Sequence, residues 1–218
     1  MNLILAIDTC TSQTSIALRN EERILGEHTW RNDRQHTSTT AERISQMLAQ
    51  HGATGADVKV VAAALGPGSF TGVRVGLAIA KGMAAANGAA LIGVSAFDIL
   101  AAAQMPRMSP FALPILAVVE AGRERVAVQR YVWEDGAEHK VGGWSLMAAA
   151  DFAKDVEEVT WACGDLPQSA YANAHLRCAP APLNVRRAAH LAEIAYARWK
   201  RGDVDDPATL MPIYPPEN

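Results

Sequence analysis

The stretch Leu65-Gly66-Pro67-Gly68-Ser69-Phe70-Thr71-Gly72-Val73-Arg74-Val75-Gly76-Leu77, running on to Gly88, decides how this chain must fold. The apolar run at 58–65 reads as a strand and stops at a Gly-Pro-Gly turn. Pro67 fixes its own φ and pushes Gly66 out of the α region, so the chain has to turn there. Ser69 or Thr71 suits the cap of the helix beyond the turn. Gly72, Gly76 and Ala80 recur every fourth residue, with Ala84 next in line, and so share one smooth face. A face without side chains lets another backbone come very close. Val73, Leu77 and Met83 occupy the other faces, so the helix is apolar nearly all round and should be buried on several sides. Two readings of the turn stand side by side. A Gly-rich turn opening a helix can cradle a phosphate, or it can be a structural turn leading into a close-packing helix. Val73 and Arg74 come after Gly72 where a Walker A loop has Lys and Ser or Thr, and no GxGxxG occurs.

Outward from this stretch, the 218 residues suffice for one large domain or two small lobes. A net charge of −3 provides no global basic field for nucleic acid, so any RNA contact needs a partner or a local patch. The opening apolar run ends at Asp8, has no basic flank and is too short for a signal peptide or membrane span. Cys10, Cys163 and Cys178 form no C-x-x-C pair, and their odd number fits reduced thiols in the cytoplasm.

The order of elements repeats along the chain. Strands at 2–7, 14–18 and 23–30 precede a helix at 37–50, the 58–65 strand, the central helix, a strand at 89–94 and a helix opening at Ser95. Residues 105–112, with Pro106 and Pro110, read as a linker. Strands then recur at 113–119, 125–133 and 138–144, before a helix at 145–155, a strand at 158–163, a short helix at 168–174 and a short strand at 176–178. A last helix is expected from Asn184 to Trp199. The expected organisation is α/β, with two ribonuclease-H-like lobes of the actin/sugar-kinase/Hsp70 (ASKHA) architecture, the second reduced. The lobes are drawn at 1–104 and 113–201, with the partner interface in the first. Residues 202–218 are expected to be extended or partly disordered.

With these residues in view, the chain resembles the TsaB (YeaZ) family of tRNA-modification proteins. Ile4-Leu5-Ala6-Ile7-Asp8-Thr9 with Thr14-Ser15-Ile16-Ala17-Leu18, then Gln35-His36-Thr37-Ser38, the Leu65–Gly82 block and Ile92-Gly93-Val94-Ser95 carry the resemblance. It is strong over residues 1–104 and weak beyond, where Glu120-Ala121-Gly122-Arg123 and Pro212-Ile213-Tyr214 depart from the family pattern. The resemblance implies a non-catalytic scaffold subunit for N6-threonylcarbamoyladenosine modification of tRNA next to the anticodon. It implies pairing with a TsaD-like transferase and a TsaE-like ATPase, self-association as a homodimer over roughly the same surface, and contact with tRNA only through the complex.

The residues themselves bear on catalysis. Aligning Ile92-Gly93-Val94 on the strand that precedes the metal-binding H-x-x-x-H of TsaD puts Ala96 and Leu100 at the ligand positions, and neither can bind a metal. Nucleotide-binding relatives of this architecture place a Gly in the turn after the first strand. Cys10 stands there instead, leaving Asp8, Thr9 and Thr11 as a vestigial site with weak ATP or ADP binding at most and no cofactor required. Asp8 remains the basis of an alternative reading, a small ATPase or phosphotransferase. Ser69, Ser38 and His36 are tempting as nucleophile and base, but Ser69 reads better as a cap and G-x-S-x-G is absent. The expected partner or dimer interface comprises His36, Ile44, Phe70, Gly72, Val73, Arg74, Gly76, Leu77, Ala80 and Lys81, with Arg74 and Lys81 at its rim.

Overall fold

In the computed structural model, which describes residues 2–31, 36–111, 113–134, 137–154 and 156–214, the first apolar run becomes β1 (Leu3–Asp8). β2 (Gln13–Arg19) and β3 (Ile24–Arg31) return antiparallel, with Ile7 opposite Ile16 and Ala17 opposite Glu27. α1 (His36–Gln50), β4 (Val58–Ala64), α2 (Phe70–Asn87) and β5 (Ala90–Val94) come next. β4 runs parallel to β1 and β5 parallel to β4, giving the sheet order β3-β2-β1-β4-β5. β1 is buried at every position because helices cover both faces of the sheet. Leu3, Leu5 and Ile7 pack with Ile44 and Met47 of α1 and Leu77 of α2. Ile4 and Ala6 point the other way by the two-residue period. On that side lies α4 (Ala188–Lys200), which packs on β1 and β2 and buries Leu191, Ala192 and Ala195.

The second sheet repeats the plan. After α3 (Ala96–Met108) come β6 (Ile115–Glu120), β7 (Arg125–Glu134), β8 (Ala137–Ala148), β9 (Thr160–Gly164) and β10 (Leu176–Cys178). Three antiparallel strands and two parallel additions give the order β10-β9-β6-β7-β8, the same connectivity as the first sheet. Each is a ribonuclease-H-like unit.

The division of the chain differs from the one drawn on the sequence. The first unit holds residues up to Ser95 together with Arg187–Tyr214, and the second runs from Ala96 to Arg186. α3 packs on β6, so it belongs to the second unit, and α4 returns to the first. No linker occupies 105–111: α3 continues to Met108 and a 3-10 turn, Ser109–Phe111, closes it.

Two expected helical features are also replaced. Residues 145–148 extend β8, with Leu146 opposite Ala127 and Met147 opposite Val126. Their burial shows the strand period: Trp144 and Leu146 pack on one face of the sheet and Met147 on the other. Residues 149–154 are turns. Asn184 does not cap the last helix. Its amide accepts from Gly164 N–H at 3.0 Å and donates to Ala179 O at 2.8 Å, within the second unit. α4 starts at Ala188 and takes its cap from the sheet beneath it: Ser15 Oγ accepts Ala188 N–H at 3.0 Å and Glu27 Oε1 accepts Ala189 N–H at 2.9 Å.

The tail is extended but fastened through residue 213. Asp205 N–H donates to Leu91 O at 2.9 Å, and Asp205 Oδ2 accepts Gly93 N–H at 2.8 Å. Arg198 reaches Gly93 O at 2.7 Å and forks onto Asp203, holding the Asp203 carboxyl below the usual carboxylate range. Ile213 N–H donates to Leu65 O at 2.7 Å, so the tail also ties down the Gly66 turn.

Candidate functional site

Two sets of residues that the sequence assigns to different functions turn out to be each other's packing partners. At the end of β1, Asp8 Oδ1 accepts Cys10 N–H at 2.9 Å, and Thr11 Oγ1 accepts Gln13 N–H at 3.3 Å. Thr9 Oγ1 donates to Gly72 O in the first turn of α2 at 2.6 Å. A Cβ added at Gly72 would stand 2.1 Å from Thr9 O, and one at Gly76 would stand 2.3 Å from Thr9 Oγ1. Thr9 is therefore keyed between two glycines one helical turn apart. The connecting turn closes the same junction. Gly66 takes φ +93°, Ser69 N–H donates to Cys10 O at 2.6 Å, and a Cβ at Gly68 would stand 2.1 Å from that oxygen.

This geometry bears on the phosphate reading. Four of the N–H groups around the turn are engaged: Cys10 by Asp8, Ser69 by Cys10 O, Gly72 by Ser69 Oγ at 3.3 Å and Val73 by Ser69 O at 3.0 Å. Asp8 and Thr9 are each 1% exposed. Ser69 is the helix cap, as expected, its Oγ accepting Gly72 N–H. Ala96 and Leu100 are buried in the second unit. Among the described residues no group of three or more His, Cys, Asp or Glu side chains could hold a metal ion. The three thiols are free, and burial pushes Cys163 up to about 12, which keeps it protonated and unreactive at neutral pH.

The expected interface set divides in two. Ile44, Gly72, Val73, Gly76, Leu77 and Ala80 are buried within the first unit, so they are corrected from surface to core. The smooth face does admit a close backbone, but that backbone is the chain's own β1 turn. Phe70 (58% exposed) and Arg74 remain outside, with the Arg74 guanidinium 4.5 Å from the Phe70 ring centre and the Tyr214 ring 5.3 Å from it on another side. Lys81 is half-buried. His36 opens α1, and its side chain lies outside the described residues. Sequence reasoning missed Val75, Ala78 and Ile79, which join Phe70, Thr71 and Arg74 around a shallow hollow of about 300 Å³. The signal was present: 71, 75, 78 and 82 form a second helical stripe opposite the glycines, with apolar Val75 and Ala78 at its centre.

Two ribonuclease-H-like units in tandem make up the fold. Component A of the (R)-2-hydroxyglutaryl-CoA dehydratase of Acidaminococcus fermentans, 10% identical, has this fold over 92% of the chain and 99% of its own, with a TM-score of 0.50. YeaZ from Pseudomonas aeruginosa superposes at a TM-score of 0.79, with 24% identity over 98% of this chain and all of that one. The family model for TsaD, tRNA N6-adenosine threonylcarbamoyltransferase, matches residues 23–163. The tRNA threonylcarbamoyladenosine biosynthesis protein TsaB of Escherichia coli K12 is 36% identical over 118 residues, which span 54% of this chain and about half of that relative. The chain belongs to the family that the threonylcarbamoyltransferase model describes, and within it is similar to the TsaB (YeaZ) proteins.

Proposed function

We propose that this protein is a non-catalytic subunit of the machinery that makes N6-threonylcarbamoyladenosine in tRNA, and that it works by pairing with a TsaD-like transferase through the outer face of α2. One observation carries this reading: the turn after β1, with Thr9 and Cys10, is packed directly against the chain's own Gly66–Gly72 segment. On the opposite side of the same helix, Phe70, Val75, Ala78 and Ile79 offer apolar surface edged by Thr71 and Arg74. An apolar hollow with a charge at its edge suits a protein partner, the apolar centre giving affinity and the rim giving orientation. A second copy of the chain competes for the same face, a TsaE-like ATPase joins the pair, and tRNA is met through the complex. No cofactor is required, and any ATP or ADP binding is weak. Free thiols fit the cytoplasm, and among the described residues no helix is long and apolar enough to cross a membrane. The alternative, a small phosphotransferase working from Asp8, has less support because that carboxylate is almost wholly buried and already accepts Cys10 N–H.

The test is an omit-one reconstitution of transferase, ATPase, threonylcarbamoyl-adenylate-forming enzyme, tRNA and ATP, with modified adenosine read by mass spectrometry. Product should require this protein and should vanish when the transferase is left out. Ala78→Glu, an exposed substitution, should lose partner co-elution and product while keeping the wild-type melting temperature. Product formed equally well without this protein refutes the proposal.

A further inference from the structure

The second unit carries a cavity that none of the above uses. In the first unit helices cover both faces of the sheet. Here α3 covers one face only, because residues 145–148 stay in β8 and residues 149–154 turn without forming a helix. On the other face Phe152 and Ala153 reach back into the core, while Leu116, Met147 and Val156 remain half-buried. The space between them is a cavity of about 500 Å³, within the range of small-molecule sites. Gly143 lines its wall, where β8 bulges, and a Cβ there would meet nothing within 4 Å.

The charges at the mouth choose among ligands. The lining includes one cation, Arg130, and three carboxylates, Asp151, Glu157 and Glu158. Arg130 is paired with Glu158, and Asp151 with the neighbouring Lys154. Among the described residues, the exposed Glu157 carboxylate is left without an ion pair. An anion would meet a guanidinium already taken and a surplus negative charge, and a neutral hydrocarbon would make no use of Glu157. We infer that this cavity binds a small amphipathic cation, an amine or guanidine carried on an aromatic or branched aliphatic body, with the body against Leu116, Met147 and Phe152 and the cation at Glu157.

The experiment uses the full chain, 15N-labelled, and two probes of matched shape and opposite charge, phenethylamine and 3-phenylpropionate. Phenethylamine should give saturable amide shifts centred on Gly143, Met147 and residues 156–158. The carboxylate probe should bind about five-fold more weakly, the effect of one carboxylate at a partly solvated mouth. Gly143→Phe fills the cavity from a position with open space and should abolish the shifts while the rest of the spectrum is retained. Glu157→Gln, a surface substitution, should level the preference between the probes. No saturable shifts, equal affinity for both probes in the wild type, or amine binding that survives Gly143→Phe would each overturn the inference.

Discussion

Replacing Gly72 with Ala tests the central junction. The new methyl carbon would lie 2.1 Å from Thr9 O, a backbone atom of a fully buried strand end, so neither side can yield without moving β1 or α2. Forcing an extra carbon into a packed site costs about 1–3 kcal/mol. Displacing α2 also strains the 2.6 Å bond from Thr9 Oγ1 to Gly72 O, worth about 1 kcal/mol. Against this, Ala favours the helix by about 1 kcal/mol over Gly. The net is a loss of about 2 kcal/mol. Gly82 lies on the exposed side of the same helix with nothing within 4 Å of a Cβ, so Gly82→Ala keeps only the helix gain and should stabilise by about 0.5–1 kcal/mol. At about 2–4 °C per kcal/mol for a chain of this size, the first variant should melt several degrees below wild type and the second slightly above it. Urea and thermal unfolding followed by far-ultraviolet circular dichroism would resolve both. A Gly72→Ala midpoint at or above wild type, moving together with Gly82→Ala, would refute the argument that this face is packed on Thr9.

Three other contacts give measurable outcomes. Burial, and then the Arg187 guanidinium, hold His190 below its ordinary value near 6.5, outweighing Glu27 and Glu193. The unfolded chain therefore takes up the proton first, so this group leaves stability unaffected above about pH 6.5 and lowers it as pH falls below. Urea midpoints of His190→Gln should lose that part of the acid-side slope. Asn184→Ala leaves Gly164 N–H and Ala179 O without their bridge and should cost about 1–3 kcal/mol, read as faster hydrogen exchange in β9. Glu27→Gln removes the charge that pairs with Arg187 and accepts Ala189 N–H at the start of α4, and should cost about 1 kcal/mol in the same unfolding assay.

The fold was legible where one period dominates. The largely apolar runs of β1 and β4 and the turn-bounded α2 lie close to their expected limits, and the repeated element order names the tandem units. The misreadings share a cause: local pattern was overruled by partners distant in sequence. Residues 145–148 look helical beside Ala148, Ala149 and Ala150, yet pairing with β7 holds them in a strand. Asn184 has cap chemistry, yet spends it on Gly164 and Ala179. The Pro-rich tail looks unable to fold, yet the Arg198 fork and the Asp205 bridge anchor it, and neither pair stands out in the sequence. The site was half legible. Helical spacing correctly grouped Gly72, Gly76 and Ala80 on one face, but spacing alone does not say which side of a helix faces its own sheet.

That last ambiguity has a physical resolution that bears on function. A glycine stripe reports that something comes close; it does not report what. Here Thr9, with Ile7 behind it, supplies it, and once the stripe is matched to them the helix has satisfied its own core. Folding then accounts for Gly72, Val73, Gly76, Leu77, Ala80 and the core-packed side of Ile79, but not for the outer apolar surface at Phe70, Val75 and Ala78. A helix that only had to pack on its own sheet would carry polar residues there. The two stripes thus answer to different constraints and should respond separately: Gly72→Ala should lower stability, and Ala78→Glu should lower association alone. If Ala78→Glu unfolded the protein, or Gly72→Ala cost association at unchanged stability, the inward and outward faces of α2 would have been assigned the wrong way round.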